Sequence, residues 1–228
     1  MKKKIHIISR FKKSGGAAIA SNRLYNVLNK NKLFDVKYFF YNDNKNFYSF
    51  LKKKIYFVLE YGLFRLLDKN VLRSINLLNL LHIKKTIKDS SSIINIHWFH
   101  SGLLSLNQIA KIQNPLVLTL HDSWIVNKTS HYNTKFNFFK TNFLQSFIIN
   151  LLNQWTLKRK RKINNIKCLV SPSYWLKSIV LDDPHFSKFR IEVIPNPLDT
   201  DLFKPVENQN SSFNILIYFE SRSNFLKG

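Results

Sequence analysis

Histidine and aspartate side chains follow two of the predicted strands in this chain. His97 and His100 lie in the segment N-I-H-W-F-H-S-G, and His121 and Asp122 lie in L-V-L-T-L-H-D-S-W. Imidazole and carboxylate groups can move protons or hold hydroxyl groups, and the carboxyl ends of parallel strands meet at one edge of a sheet. A single histidine at a strand end is more often structural than catalytic. Two such strand ends together indicate a polar crevice at that edge.

A glycine pair precedes the first predicted helix. Gly15 and Gly16 carry no side chains, so backbone amides and the positive end of the helix can approach a phosphate or carboxylate group there. A Gly-Gly turn is also a common plain connection between elements. The pair is therefore a candidate anion-binding loop, with a simple turn as the alternative.

Strand and helix patterns alternate along the chain. Apolar and β-branched runs predict strands at Lys4–Ser9, Val36–Phe40, Ile93–His97, Leu116–Leu120, Cys168–Val170 and Ile191–Ile194. Helices are predicted at Ala17–Asn29, Lys52–Leu67, Leu72–Ile87, Ser105–Ile112 and Phe143–Asn165. In the first of these helices, we expect four apolar residues to face the sheet, namely Ile19, Leu24, Val27 and Leu28. This alternation predicts an α/β fold with a doubly wound, mostly parallel Rossmann-like sheet.

The end of the chain predicts a domain boundary. After Cys168–Val170, a helix can begin with Ser171 as N-cap and Pro172 in the first helical position, or with Ser173 as N-cap. The polar run E-N-Q-N-S-S reads as a linker, and an apolar strand is predicted beyond it at Asn214–Phe219. The predicted organisation is a first domain at 1–206, a linker at 207–212 and the beginning of a second domain at 213–228.

Composition restricts the setting and the partners of the chain. Its 36 lysine and arginine residues against 13 aspartate and glutamate residues give a net charge of +23, which favours an anionic partner such as nucleic acid, a membrane surface or a phosphorylated substrate. An AT-rich coding sequence would also yield many lysines. The single cysteine, Cys168, excludes an internal disulfide and fits a reducing, cytoplasmic setting. The longest apolar stretches are interrupted and short, so no transmembrane helix is predicted.

Three motifs resemble glycosyltransferases of family four, which are retaining enzymes with the GT-B fold. The exit V-I-P-N-P-L-D-T-D-L-F-K-P resembles the crossing between the two domains of that family. The string H-W-F-H-S-G-L-L-S, followed by N-P-L-V-L-T-L-H-D-S-W, resembles a subgroup that builds surface polysaccharides. The resemblance implies transfer of a sugar from a nucleotide diphosphate sugar to a growing surface polysaccharide or lipid-linked glycan, without a bound metal or other cofactor.

The same resemblance implies roles for individual residues. His121 would face the transferred sugar and Asp122 would support the acceptor side, while G-G-A-A-I-A-S-N-R-L-Y-N-V-L matches the loop and helix that border the reaction cleft. In N-I-L-I-Y-F-E-S-R-S-N-F-L-K-G, Arg222 and Lys227 match the cations that bind the donor diphosphate. Related enzymes often carry a cysteine in the loop after H-D-S-W; here only His131-Tyr132 keeps that pattern.

Two further expectations and two alternatives complete the interpretation. The family's later donor-domain motifs do not occur in the 228 residues, so we expect a partial member with little transferase activity on its own. Lys52-Lys53-Lys54 and the run Lys158–Lys162 lie beside apolar stretches and could place the protein on the inner membrane face, with a solvated helix face as the default interpretation. The alternatives are a noncatalytic basic protein that binds nucleic acid, or a noncatalytic remnant that binds only an acceptor or a membrane.

Overall fold

The computed structural model describes residues 2–41, 51, 54–67, 71–81, 91–100, 102–132 and 142–204. Its strands are β1 Lys3–Ser9, β2 Phe34–Phe40, β3 Ile93–His97, β4 Leu116–Thr119, β5 Ile166–Ser171 and β6 Ile191–Val193. Its α-helices are α1 Gly16–Lys30, α2 Leu63–Leu67, α3 Leu106–Ala110, α4 Phe143–Lys160 and α5 Tyr174–Leu181, with a π-helical turn at Phe57–Gly62 and a 3₁₀ turn at Phe186–Lys188. The α/β class and the six strands expected between residues 4 and 194 are confirmed.

The six strands form one parallel sheet in the order β2-β1-β3-β4-β5-β6. From β1 the chain first moves to β2 at one edge, and from β3 onward it builds the other half of the sheet. Because such crossovers are right-handed, α1 covers one face and the helices between β3 and β6 cover the other. The strand order reverses between β1 and β3, and a doubly wound sheet opens its ligand crevice at this switch point.

The sheet is buried on both faces by apolar side chains. One cluster joins the central strands to the helices that follow β3; among its fully buried members are Ile8, Ile94, Ile96, Leu103, Leu104, Ile109, Leu116, Leu169 and Val180. A smaller cluster lies under α1 and contains Ile5, Ile7 and Val36. Near-continuous apolar strands of this kind are what a parallel sheet with helices on both faces requires.

Helix α1 meets the sheet through a different set of residues than we expected. Leu24 and Leu28 pack against the cluster under α1, as expected. Ile19 and Val27 are 41% and 61% exposed, so that part of the prediction is wrong. The buried helix residues are instead small ones, namely Ala18, Ala20 and Ser21. Small side chains let the helix backbone approach the strands closely, which turns the larger Ile19 and Val27 outward.

The predicted helix Leu72–Ile87 is wrong over its described part, because residues 71–81 form an irregular segment. Their backbone groups bond to loops elsewhere: Ser74 N donates to Thr129 O over 2.9 Å, and Leu80 N donates to Gly102 O over 2.7 Å. Asn76 has a φ of +48°, which no right-handed helix contains. Residues 82–87 lie outside the described part of the chain.

The later elements follow the predictions with small differences in their ends. Helix α4 ends at Lys160 instead of Asn165, and of the two possible caps of α5 the structure uses Ser173, whose Oγ accepts from Leu176 N over 3.2 Å. The chain divides into two compact units, Met1–Leu198 and Asp199–Gly228. The predicted linker and the strand Asn214–Phe219 lie outside the described residues. Among the described helices, none combines the length and apolar character needed to cross a bilayer.

Candidate functional site

The carboxyl ends of the central strands are level at the switch point. Ile8 pairs with Ile96, and His97 pairs with Thr119. The residues that leave β1, β3 and β4 therefore emerge side by side at one edge of the sheet. His97 ends β3 and His121 follows β4 by two residues, so the topology brings together two of the histidines that the sequence singled out.

His97 and His121 form a neutral pair. His97 Nδ1 lies 3.1 Å from His121 Nε2, at hydrogen-bond distance. Burial lowers the pKa of His97 to about 3, and it lowers the pKa of His121 to about 4 although Asp122 acts in the opposite direction. Both rings are therefore uncharged at pH 7, and one nitrogen donates to the other.

The shared proton is assigned to His97 Nδ1. His97 Nε2 is buried without a partner among the described residues, and a bare ring nitrogen is favoured over an Nε2–H donor there because unpaired buried N–H groups are the rarer case in proteins. With this assignment His121 accepts at Nε2 and carries its own proton on Nδ1. The partly exposed His121 ring can then donate a hydrogen bond to a hydroxyl group in the crevice.

Asp122 is held in a fixed orientation by two donors. Its Oδ1 accepts from Trp124 N over 2.9 Å, and its Oδ2 lies 2.6 Å from His131 Nδ1. The side chain of His131 is 1% exposed and that of Asp122 is 11% exposed. On its other side, His131 Nε2 lies 2.8 Å from Ser74 Oγ. A carboxylate oriented in this way can still accept a hydrogen bond from a hydroxyl group that reaches the crevice.

His100 lies in the interior, below this edge. Its Nδ1 donates to Asn76 Oδ1 over 3.4 Å, and its ring packs on Trp124 and His131 with centroids 4.3 and 4.5 Å away. Burial lowers the pKa of His100 well below its usual range, so this ring is also neutral. Its role at the cleft stays a prediction; its contacts are those of a side chain that supports its neighbours. The adjacent Trp98 has a φ of +34°, a strained conformation for a bulky residue.

Lys160 fixes the loop that carries Asp122 and His131. Its Nζ donates to three backbone carbonyls, those of Trp124, Asn127 and Lys128, and the last two distances are 2.7 Å. The ammonium group also lies 3.3 Å from the centroid of the Trp124 ring. Burial lowers the pKa of Lys160, while Asp122 and Asp183 act in the opposite direction. Three acceptors match the three N–H donors of an ammonium group, so the cation suits this position.

The site also contains a donor set that a metal ion could use. His100, Asp122 and His131 each offer one ligand atom, and these atoms lie within 4.8 Å of one another. Both ring nitrogens of His131 already take part in hydrogen bonds, to Asp122 and to Ser74. A bound cation would have to break these bonds and would lie near the charge of Lys160. The described contacts therefore fit a hydrogen-bonded network better than a metal centre.

The glycine pair lies at the start of α1, where Gly15 is the N-cap. Gly15 has a φ of +85° and a ψ of 155°, a conformation restricted to glycine. A Cβ atom added at Gly16 would meet no described atom within 4 Å, so packing among the described residues does not require a glycine there. The described residues of the first turn include no acidic side chain and no side-chain cap. Arg222 and Lys227 lie outside the described residues, and their assignment to the donor diphosphate stays a prediction.

Several residues of this network were not found from the sequence. His131 was noted only as part of a His-Tyr motif, and its contact with Asp122 was not foreseen. Ser74 and Asn76 lie in a segment that was expected to be helical. Lys160 belongs to a run of five cations that reads as a solvated helix end. The one usable signal was the His-Tyr pair, because it follows H-D-S-W at a short distance.

Comparison with known proteins agrees with this architecture. The family model described as Glycosyltransferase Family 4 matches residues 14–202, which include the glycine pair, both strand-end motifs and most of the exit after β6. Among curated proteins, none was found to match the chain. The matched region covers well over half of the sequence and five of the six described strands, all except β1. The chain therefore belongs to glycosyltransferase family 4.

Proposed function

We propose that this chain forms the acceptor side of a retaining glycosyltransferase of the surface-polysaccharide subgroup. The reaction transfers a sugar from a nucleotide diphosphate sugar to a growing surface polysaccharide or a lipid-linked glycan. Family membership supports glycosyl transfer in general, and the two motifs H-W-F-H-S-G-L-L-S and N-P-L-V-L-T-L-H-D-S-W support the subgroup. Family membership does not favour the alternative of a noncatalytic basic binding protein.

The observation that carries the proposal is the pairing of partly exposed polar groups with buried partners at the switch point. His121 is backed by buried His97, and Asp122 is backed by buried His131. Sugars present many hydroxyl groups, each of which is both a donor and an acceptor. A donating His121 Nδ1–H next to an accepting Asp122 carboxylate complements such a surface, and the buried partners keep both groups oriented before the sugar arrives.

Separate groups are proposed for the donor half of the reaction. As the glycosidic bond breaks, the departing diphosphate gains negative charge, and fixed cations stabilise that charge more in the transition state than before it. Arg222 and Lys227 are proposed for this role from their motif. The free amides after Gly15 and Gly16 offer a second place where an anionic group can approach. The proposal uses no bound metal, since these cations meet the charge.

Acceptor binding by variants of the full chain tests the proposal. We expect an array of surface-polysaccharide oligosaccharides to contain ligands of the wild type, and we expect Asp122→Asn to weaken the best of them at least about tenfold, because a hydrogen bond to a charged group is lost. Asp182→Asn, which changes an exposed carboxylate at the end of α5, is the matched control. Equal binding by the Asp122 variant and the wild type would contradict the assignment, and so would an array without any ligand.

A further inference from the structure

Two neighbouring helical segments expose large apolar side chains to solvent. We call these side chains the apolar face; the face comprises Ile55, Phe57, Val58, Leu59 and Leu66 before and within α2, and Phe143, Leu144, Phe147 and Leu151 on α4. Phe143 is 88% exposed and Leu66 is 77% exposed. Single exposed apolar residues are ordinary, but a contiguous group of this size usually marks an interaction surface.

The two segments that carry the face are in contact. Gln145 Nε2 donates to Leu66 O over 3.2 Å, which links the first turn of α4 to α2. Beneath this contact, Phe64, Ile75 and Ile149 form a buried cluster of their own. The exposed side chains therefore stand on a packed support.

Helix α4, which carries part of the face, also contacts the loop of the candidate functional site. Asn153 Oδ1 on α4 accepts from both Thr129 N and Thr129 Oγ1, over 3.2 and 2.6 Å. Thr129 precedes His131 by two residues, and Asn153 follows Leu151 of the face by two residues. Residues two apart on a helix point to nearly opposite sides, so a surface bound to the face would lie about one helix diameter, roughly 10 Å, from the loop that holds Asp122.

The charged side chains that the structure describes as exposed on these two segments have one sign. Lys54, Arg65 and Lys158 are exposed on the same two segments. The one carboxylate in residues 54–67, Glu60, is 2% exposed and accepts from Leu77 N over 2.7 Å. Helix α4 contains no acidic residue. On these described segments the exposed side chains are thus apolar, polar or cationic, which is the composition that anionic bilayers attract.

We propose that the apolar face docks on an anionic lipid bilayer, with Phe143, Phe147 and Leu66 entering the interface and the surrounding cations meeting lipid headgroups. A second copy of the chain is a poorer partner, because two chains of +23 repel each other. Nucleic acid would meet the cations but leaves large apolar side chains without a partner. Docking deepens the proposed function and rests on it in one respect, since it would bring the site to a lipid-linked acceptor.

Vesicle partition of the full chain tests this proposal. The vesicles contain either phosphatidylcholine alone or an equal mixture with phosphatidylglycerol. We expect the wild type to bind the mixed vesicles and to keep part of that binding at about 1 M salt, where charges are screened beyond about 3 Å. Phe143→Ser combined with Leu66→Ser should weaken the salt-resistant partition at least about tenfold, because burial of each such side chain corresponds to tenfold or more.

A matched control separates the face from general apolar exposure. Val27 and Leu33 are 61% and 70% exposed, and α1 lies on the opposite face of the sheet. The double variant Val27→Ser and Leu33→Ser should therefore bind vesicles as the wild type does. Equal losses in both double variants would overturn the proposal, as would binding that depends on charge alone. A change of molar mass on light scattering in the Phe143 and Leu66 variant, without a change in vesicle binding, would also overturn it in favour of a second copy.

A probe on the face gives an independent measurement. The double variant Cys168→Ser and Phe147→Cys has a single cysteine, which can carry an environment-sensitive fluorophore. The emission should shift to shorter wavelength on mixed vesicles, and an unchanged emission would contradict insertion.

Vesicle binding without oligosaccharide binding would refute the proposed function and leave docking in place. Oligosaccharide binding without vesicle binding would refute docking and leave the proposed function in place.

Discussion

Acid should destabilise this protein through the buried histidine pair, and His97→Asn should remove part of that effect. His97 and His121 have an ordinary pKa of 6.5 and folded values of about 3 and about 4. Below pH 6.5 the unfolded chain therefore binds protons that the folded chain does not, so stability falls as the pH falls. The stability that the two neutral rings contribute is fully present above pH 6.5. It is lost as the pH falls from 6.5 toward the folded pKa values of about 4 and about 3.

The size of the effect follows from the width of that interval. For each pH unit by which the pH falls below 6.5, until the folded pKa is reached, each histidine lowers the unfolding free energy by about 1.4 kcal/mol. From pH 6.5 to about 4.5 the pair therefore removes about 5 kcal/mol, which is close to the whole stability of a marginal domain. His97→Asn keeps a polar group near the position of Nδ1 but does not titrate. The variant should lose about 2.7 kcal/mol less than the wild type over the same interval.

Urea unfolding, followed by tryptophan fluorescence at a series of pH values, measures this slope directly. Ile96→Val is the control, because it removes one buried methyl group from the same strand and leaves the titrating groups in place. The control should lower stability by a similar amount at every pH. Identical pH slopes for His97→Asn and the wild type would refute the burial argument for this pair.

Three further predictions concern the support of the site. Lys160→Met should lower the unfolding free energy in urea by at least about 3 kcal/mol, because three backbone carbonyls lose their donor. The control Lys162→Met, which changes an exposed lysine, should alter the unfolding free energy by less than about 0.5 kcal/mol in the same assay. Gly15→Ala should lower the unfolding free energy by about 1–3 kcal/mol through backbone strain. Gly16→Ala should leave thermal unfolding unchanged but weaken the binding of a nucleotide diphosphate sugar in calorimetry, because the added methyl group blocks the approach of a ligand to that backbone. Burial raises the pKa of Glu60, so Glu60→Gln should be as stable as the wild type or more stable at pH 7 in urea; a loss above about 1 kcal/mol would contradict this.

Local patterns predicted the sheet and the edge where the site lies. Strand propensity in I-I-N-I-H and L-V-L-T-L placed His97 and His121 at strand ends, and the rule for parallel sheets then brought both ends to one edge. No contact between distant segments was needed for this step. The proposed roles of His121 and Asp122 are a further step, because they come from the motifs and remain to be tested.

The missed residues depend on contacts between distant parts of the chain. Lys160 looks like its neighbours in sequence, and only the carbonyls of the loop at Trp124–Lys128 distinguish it. Ser74 and Asn76 lie in a leucine-rich segment with a helical pattern, but its backbone bonds to other loops instead of to itself. In α1, the direction of Ile19 was decided by how closely small residues allow the helix to approach the sheet. Tertiary contacts overrode local propensity in each case.

Ring-nitrogen NMR of the full chain, labelled with ¹⁵N-histidine, tests the central claim most directly. The chain has seven histidines, so each ring system can be followed separately while an acceptor oligosaccharide is added. We expect the free His121 ring to carry its proton on Nδ1 and its resonances to move on binding, while those of His185, near the 3₁₀ turn, stay in place. Saturating oligosaccharide that moves His185 and leaves His121 unchanged would contradict an acceptor site at the carboxyl edge of this sheet.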